Sequence, residues 1–303
     1  MINRRAIIVE TPRTPLSGME DGQRHGQFYL MTRRFTRNKM AVVALVFLVA
    51  LILSAIFSDY LTPYDSSKQD LSARFLYPSL AHLMGTDDFG RDIFTRVLEG
   101  GRISLLVSVI SVGISTVLAV VLGSIAGYFG GTVDNVIMRV MDIFIAIPGL
   151  LMAMAISAAL GTGLVNTAIA LAVSAVAPLV RQIRSSILLL KNQEFIEASK
   201  AFGAGDARII ITHVLHNIMA PLIVQISLRL GDTIMAIAGL SFLGLGVQPP
   251  TPEWGNMVAA GRDYIRQFWP IVTFPGVAVA VTMLAFNLLG DGLRDAMDPR
   301  MKR

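Results

Sequence analysis

The sequence predicts an all-α, polytopic membrane protein with six transmembrane helices, and three observations carry that expectation. Of its 303 residues, 53% are hydrophobic and only 16% charged, with a mean hydropathy of +0.61, whereas a soluble domain carries about a quarter charged residues. Six apolar runs, at 40–58, 103–129, 136–160, 164–190, 218–247 and 271–289, approach or exceed the length of about 20 residues that a helix needs to cross the hydrocarbon core. The basic residues gather beside some connections between these runs and avoid others.

Taken in order, residues 1–39 read as a cytoplasmic N-terminal tail. The first 30 are polar and broken by Pro12, Pro15, Gly18, Gly22 and Gly26, which predicts a flexible segment. Arg4, Arg5, Arg13, Arg24, Arg33, Arg34, Arg37 and Lys39 make the tail basic, and the last four fall within seven positions of the first apolar run. That run, 40–58, is read as a retained anchor, because 39 preceding residues are far too many for the n-region of a signal peptide. Segment 59–102 holds five basic residues against seven acidic ones and is assigned to the extracytoplasmic side. Residues 103–290 then form a five-span core. The connection at 191–217 and the adjoining end of the fourth span carry Arg181, Arg184, Lys191, Lys200 and Arg208, whereas 248–270 has only Arg262 and Arg266. The tail at 291–303 is basic again, with Arg294, Arg300, Lys302 and Arg303. Because Lys and Arg mark cytoplasmic loops, an even number of spans with both termini in the cytoplasm fits the whole pattern.

Several function classes drop out. A net charge of +5 comes without a basic stripe interleaved with aromatics, so nucleic acid is not expected as a partner. The chain has no cysteine, which removes disulfides and thiolate metal sites. His25, His82, His213 and His216 form no convincing ligand set; the i, i+3 pair His213 and His216 reads as a polar helix face in preference to a weak chelate. None of Lys39, Lys68, Lys191, Lys200 or Lys302 follows a glycine, so no phosphate-binding loop exists and the chain is not expected to hydrolyse ATP. Ser227 and Ser241 lie in spans without a histidine to act as base, which argues against an intramembrane hydrolase.

The polar island at 191–217, KNQEFIEASKAFGAGDARIIITHVLHN, stands out between two apolar runs. Phe195, Ala198 and Phe202 share one helical face, while Lys191, Glu194, Glu197 and Lys200 occupy the other. Gly203 and Gly205 can take positive φ and end that helix. Asp206 is placed to cap a second short helix carrying Arg208 to His216. The island is either an amphipathic solvated connection or a docking element for a soluble partner.

The order Glu197-Ala198-Ser199, three residues, then Gly203-Ala204 resembles the "EAA" signature of permease subunits of ATP-binding-cassette importers. The chain has Leu215-His216 where that family usually has a Leu-Pro pair. Three further runs resemble the C-type permeases of the dipeptide, oligopeptide and nickel importers: GTDDFGRD at 85–92, SFLGLGVQPPTPEWG at 241–255, and AFNLLGDGLRD at 285–295 followed by Asp298-Pro299. The resemblance covers about residues 30–303. It implies an importer-type permease core in a bacterial inner membrane, with Glu197, Ala198, Ser199, Gly203, Ala204, Gly205 and Asp206 in a cytoplasmic coupling loop that sits in a cleft of an ATPase. It also implies a homologous B-type permease as heterodimer partner, two ATPase subunits that bind ATP and Mg, and an extracytoplasmic substrate-binding protein. This chain would bind no cofactor or metal. The implied cargo is a dipeptide or related short peptide, with glutathione, nickel chelates and opine-like compounds as alternatives in the same family.

The remaining motifs have plainer readings. Residues 85–92 alternate acids with Arg91, which predicts local ion pairs, with contact to a binding protein as the other possibility. The glycines of 241–246 allow close helix approach, the prolines Pro249, Pro250 and Pro252 stiffen the following loop, and Trp254 suits the membrane interface. Arg139 and Asp142 can pair at i, i+3, Arg181 and Arg184 can snorkel, and Asp291, Arg294, Asp295 and Asp298 would fix the end of the last span. Pro148 and Pro178 are expected to kink their spans. Arg229 and Asp232, about a dozen residues inside the fifth span, form either a self-neutralising pair or part of a translocation path. Those two charges also keep open an ion-coupled secondary transporter, although such carriers usually have more spans and a repeat-related site.

Overall fold

The computed structural model describes residues 27–297. The expectations for residues 1–26 and for Asp298 to Arg303 lie outside the described residues. Everything described is helix, turn or loop apart from one isolated bridge between Thr86 and Asp92. The helices are α1 (Gln27–Arg37), α2 (Lys39–Ile56), α3 (Ser58–Leu61), α4 (Ile93–Phe129), α5 (Gly131–Ile145), α6 (Gly149–Leu160), α7 (Leu164–Leu190), α8 (Glu194–Ala201), α9 (Asp206–Ile209), α10 (His216–Phe242), α11 (Trp254–Gly261) and α12 (Pro270–Met297). A π-helical run, Ile210–Leu215, joins α9 to α10. Residues 27–30, read from sequence as the end of a flexible tail, are the first turn of α1.

Among the described residues five helices are long and apolar enough to cross a membrane, and a sixth crossing results if the bent pair α5 and α6 counts as one span. That pair occupies the span expected at 136–160, and the kink expected there at Pro148 is a full break, with halves that meet at 86°. Pro148 causes the break. It lacks an N–H for the helix ladder, adopts φ −52°, ψ 130° as the N-cap of α6, and disfavours helical backbone at the preceding residue.

Other boundaries also move. The span expected at 103–129 begins ten residues earlier, because Asp92 caps it: its Oδ2 accepts from Thr95 N–H at 2.8 Å and from Thr95 Oγ1 at 2.7 Å. The one expected at 218–247 runs instead from Asp206 to Phe242. It stops there because Gly244, at φ +78°, closes a turn in which Leu245 N–H reaches Leu240 O and Gly244 N–H reaches Ser241 O. The glycine-rich run at 241–246 is therefore a helix terminator and not a helix-packing stripe.

Two pairings organise the bundle. Helix α4 packs along α7, and α12 packs along α10 and α2. In the first, small residues let the backbones close: a Cβ on Gly123 would stand 2.9 Å from Ile183 Cβ, and one on Gly127 2.9 Å from Ile187 Cβ. Around the second, Trp254 is fully buried with Ile93, Val97, Ile234, Phe268 and Phe286. Its indole N–H donates to Val97 O at 2.8 Å, and its ring lies against Gly100 and Gly101. The interfacial anchor expected at Trp254 is thus a core residue. Glu253 beside it is also buried and caps α11, accepting from the N–H groups of Gly255 and Asn256 and from Ser104 Oγ.

The local ion pairs expected at 85–92 are present. Asp87 accepts from Arg91 Nε at 2.7 Å and from the backbone N–H groups of Phe89 and Arg91. Arg96, on the first turn of α4, stands 3.6 Å from the same carboxylate and donates to Ser66 O at 2.7 Å. This network ties segment 59–92 to the start of α4.

Candidate functional site

The polar island folds as an anchored, outward-facing elbow between α7 and α10. Helix α8 begins with Glu194 and Glu197 in its first turn and ends with Lys200 in its last, each charge complementing the helix dipole. Its stop is a Schellman motif: Gly203 N–H bonds Lys200 O and Ala204 N–H bonds Ser199 O, with Gly203 at φ +80°. The positive φ expected at both glycines occurs at Gly203 alone, since Gly205 is extended at φ −69°.

The anchoring residue is one the sequence reading passed over. Ile196 is completely buried and joins Ile209, Val214 and Ile218 in a cluster with Tyr128, Met141, Ile183 and Ile187. The opposite side carries the expected face of Phe195, Ala198 and Phe202, and that face is exposed, Phe202 to 92%. Glu197, Gly203 and Gly205 are exposed beside it. A Cβ on Gly203 would meet nothing within 4 Å.

Asp206 does not cap. It is the first helical residue after the N-cap Gly205, and its Oδ1 accepts from the Tyr128 hydroxyl at 2.7 Å. The second short helix expected at 208–216 is not separate either, because it continues through the π-helical run into α10. His213 turns toward α8, with Nε2 3.3 Å from Ser199 Oγ and its ring edge-on to Phe195 at 6.3 Å, while His216 is exposed. No group of three or more potential metal ligands occurs among the described residues.

Ion pairs brace the helices that lead into the elbow. Arg184 on α7 grips Asp134 on α5 with Nε and Nη2, both at 2.5 Å. Arg181 pairs with Asp142. The i, i+3 pair expected between Arg139 and Asp142 is therefore replaced by an interhelical one, and neither Arg181 nor Arg184 is a lone snorkelling charge. Asp291, Arg294 and Asp295 are exposed at the end of α12 and make no ion pair among the described residues.

Arg229 and Asp232 are not brought together as an ion pair. No contact within 4.0 Å joins them, Arg229 Nε is buried without a hydrogen-bond partner, and Asp232 is exposed. The two charges still feel each other electrostatically, with no direct salt bridge in this conformation. Asp232 stands two turns before Gly239 on the same side of α10. Gly239 lines an apolar groove of about 580 Å³ between α10, α11 and α12, with Asn287 among its few polar groups.

Residues the sequence reading missed are Ile196, which lacked the periodic support that Phe195 and Phe202 gave each other, and Tyr128, whose partner is 78 positions away. Nothing local to Tyr128 signals that contact.

The family described as "Binding-protein-dependent transport system inner membrane component" matches residues 119–303. The "N-terminal TM domain of oligopeptide transport permease C" matches residues 26–78. The di/tripeptide transport system permease protein DppC of Pseudomonas aeruginosa is 44% identical over 274 residues, covering 88% of this chain and 90% of its own. The glutathione transport system permease protein GsiD of Pectobacterium atrosepticum is 42% identical over 271 residues, 89% and 90% of the two chains. A solved structure of the MetNI methionine ABC transporter shares the fold, with a TM-score of 0.55 at 18% identity over 68% of this chain and 98% of that one. The chain therefore belongs to the binding-protein-dependent transport-system inner-membrane components, as an OppC/DppC-type permease subunit of an ABC importer and not itself an ATPase.

Proposed function

We propose that this chain forms half of a translocation pathway for dipeptides or related short peptides, and that residues 191–217 receive the work of a separate ATPase. The observation that carries the reading is the elbow itself. An exposed ridge of Phe195, Phe202 and Ile211 stands beside Glu197 and Gly203 on a buried base of Ile196 and Ile209. Large apolar side chains left in water beside ordered charges suit a protein partner, and the base would pass its motion to the spans.

The other half is a homologous B-type permease, two ATPase subunits dock at the two elbows, and a binding protein delivers cargo from the extracytoplasmic side. Both termini lie in the cytoplasm and the chain sits in the inner membrane. ATP binding closes the ATPase dimer, draws the elbows together and turns the pathway outward; hydrolysis resets it. Short peptides are the common chemistry of the relatives named above, since glutathione is itself a tripeptide. Arg229 and Asp232, joined by no direct salt bridge, offer the pathway one charge of each sign for a zwitterionic cargo.

Glu197→Lys reverses a charge on the docking face, and Gly203→Pro forbids the positive φ that turns the chain. Each variant is expected to abolish uptake of a labelled dipeptide while the chain remains in the membrane at normal abundance. Normal uptake by either variant would remove the elbow from the mechanism. Uptake of glutathione but not of the dipeptide by the parent chain would reassign the cargo.

A further inference from the structure

Helix α4 is one unbroken helix of 37 residues, about 55 Å of rise at 1.5 Å per residue. One end is fixed in the Asp87, Arg91 and Arg96 network of the extracytoplasmic segment. The other ends at Phe129, one residue beyond Tyr128, beneath the elbow. Tyr128 is held there from both sides of the Gly203 turn: its hydroxyl donates a hydrogen bond to Asp206, and Lys200 Nζ lies 5.2 Å from its ring centroid. Its ring is 8% exposed and packs with Ile196 and Ile209, again one residue from each half of the elbow.

The elbow has three routes into the membrane. It continues into α10 as helix, so α10 follows any displacement by covalent continuity. It joins α7 through the non-helical residues 191–193, which can bend. Toward α4, the Tyr128–Asp206 bond is the one hydrogen bond to residues 191–217 among the described residues. Helix α4 in turn is locked to α7 by the close approaches at Gly123 and Gly127. A pull on Tyr128 therefore moves two spans together and reaches the outer face along a rigid rod.

We infer that Tyr128 is the positioning residue that links the coupling elbow to α4 and, through α4, to the extracytoplasmic face. The inference rests on the elbow being the ATPase contact. The dull alternative is that Tyr128 only fills the cluster under the elbow; its hydroxyl would then be dispensable to signalling. The hydroxyl–carboxylate contact is charge-assisted and half-buried, with Tyr128 buried and Asp206 exposed, and the charge makes it stronger than a neutral hydrogen bond.

The test uses the whole importer reconstituted in lipid, with its cognate binding protein as purified and carrying its own cargo. Tyr128→Phe keeps the ring, its packing and the Lys200 contact, and deletes only the hydroxyl. Basal ATPase activity and co-purification of all subunits should be retained, while the stimulation of ATPase by the binding protein falls roughly tenfold. Asp206→Ala should lose stimulation to the same degree, and the double variant no more than either alone, as expected for two ends of one contact. Stimulation at the parent level in Tyr128→Phe, a parallel loss of basal and stimulated rates, or additive losses in the double variant would overturn the inference. So would a parent complex that shows no stimulation. The Glu197→Lys variant separates this from failure of the underlying reading: if it too assembles and responds normally, the elbow is not the contact at all, whereas a dead Glu197→Lys beside a normal Tyr128→Phe removes Tyr128 alone.

Discussion

Gly203 contributes a backbone direction and no contact. At φ +80°, with open space around its α-carbon, it turns the chain so that Phe202 faces solvent while Ile196 faces the core. Asp88 shows the opposite case, a residue defined by its surroundings. Burial, and next the adjacent Asp87 carboxylate, push its carboxyl above the ordinary range, with Arg91 3.8 Å away only partly offsetting them. A carboxyl whose pKa is higher folded than unfolded favours the fold at pH below the unfolded value, and that contribution is lost as pH rises through the folded value. Near pH 7 Asp88 is thus a cost. Asp88→Asn is expected to raise the Tm near pH 7, with the gap to the parent closing toward about pH 4; an unchanged or lower Tm near pH 7 would contradict this. Residue roles that depend on distant partners were the ones the sequence hid. Asp206 had every local mark of an N-cap and bonds Tyr128 instead, Asp142 had Arg139 one turn away and pairs with Arg181, and Trp254 finds its acceptor in Val97.

Among elements, the α4–α7 pair is where shape matters most. Gly127 lies against Ile187 with no room for a larger residue between the two backbones. Gly127→Leu should cost about 1–3 kcal/mol by overpacking, read as a lowered Tm of the purified chain, whereas Gly113→Leu on the open side of the same helix serves as control. Equal Tm values for the two would mean that the close approach carries no energy. Hydropathy located every apolar run but not the joints between them. A mean over 136–160 cannot register that Pro148 divides the run at 86°, and the apolar residues after Gly244 extended a span that the glycine had already closed. Helix caps decided the true ends: Asp92 starts α4 ten residues before the apolar run does.

For the whole molecule, the all-α membrane architecture was legible because composition and run length depend only on the solvent that the chain must match. The elbow at 191–217 was legible because its polarity interrupts that match. Its outward ridge, anchored base and link to α4 are properties of tertiary packing, and only Phe195 and Phe202, a pair spaced at helical period, signalled any of them. Under the proposed function the elbow answers to a partner on one side of the membrane, and the Asp87 and Arg96 network lies on the other. Because the chain has no cysteine, a single Ala201→Cys on the exposed elbow gives a unique reporter. Treated in native membranes with a short thiol-to-amine reagent, it should cross-link this chain to the ATPase subunit and stay shielded from impermeant thiol reagents added outside. Labelling from the extracytoplasmic side with no ATPase adduct would contradict both the orientation and the role assigned to the elbow.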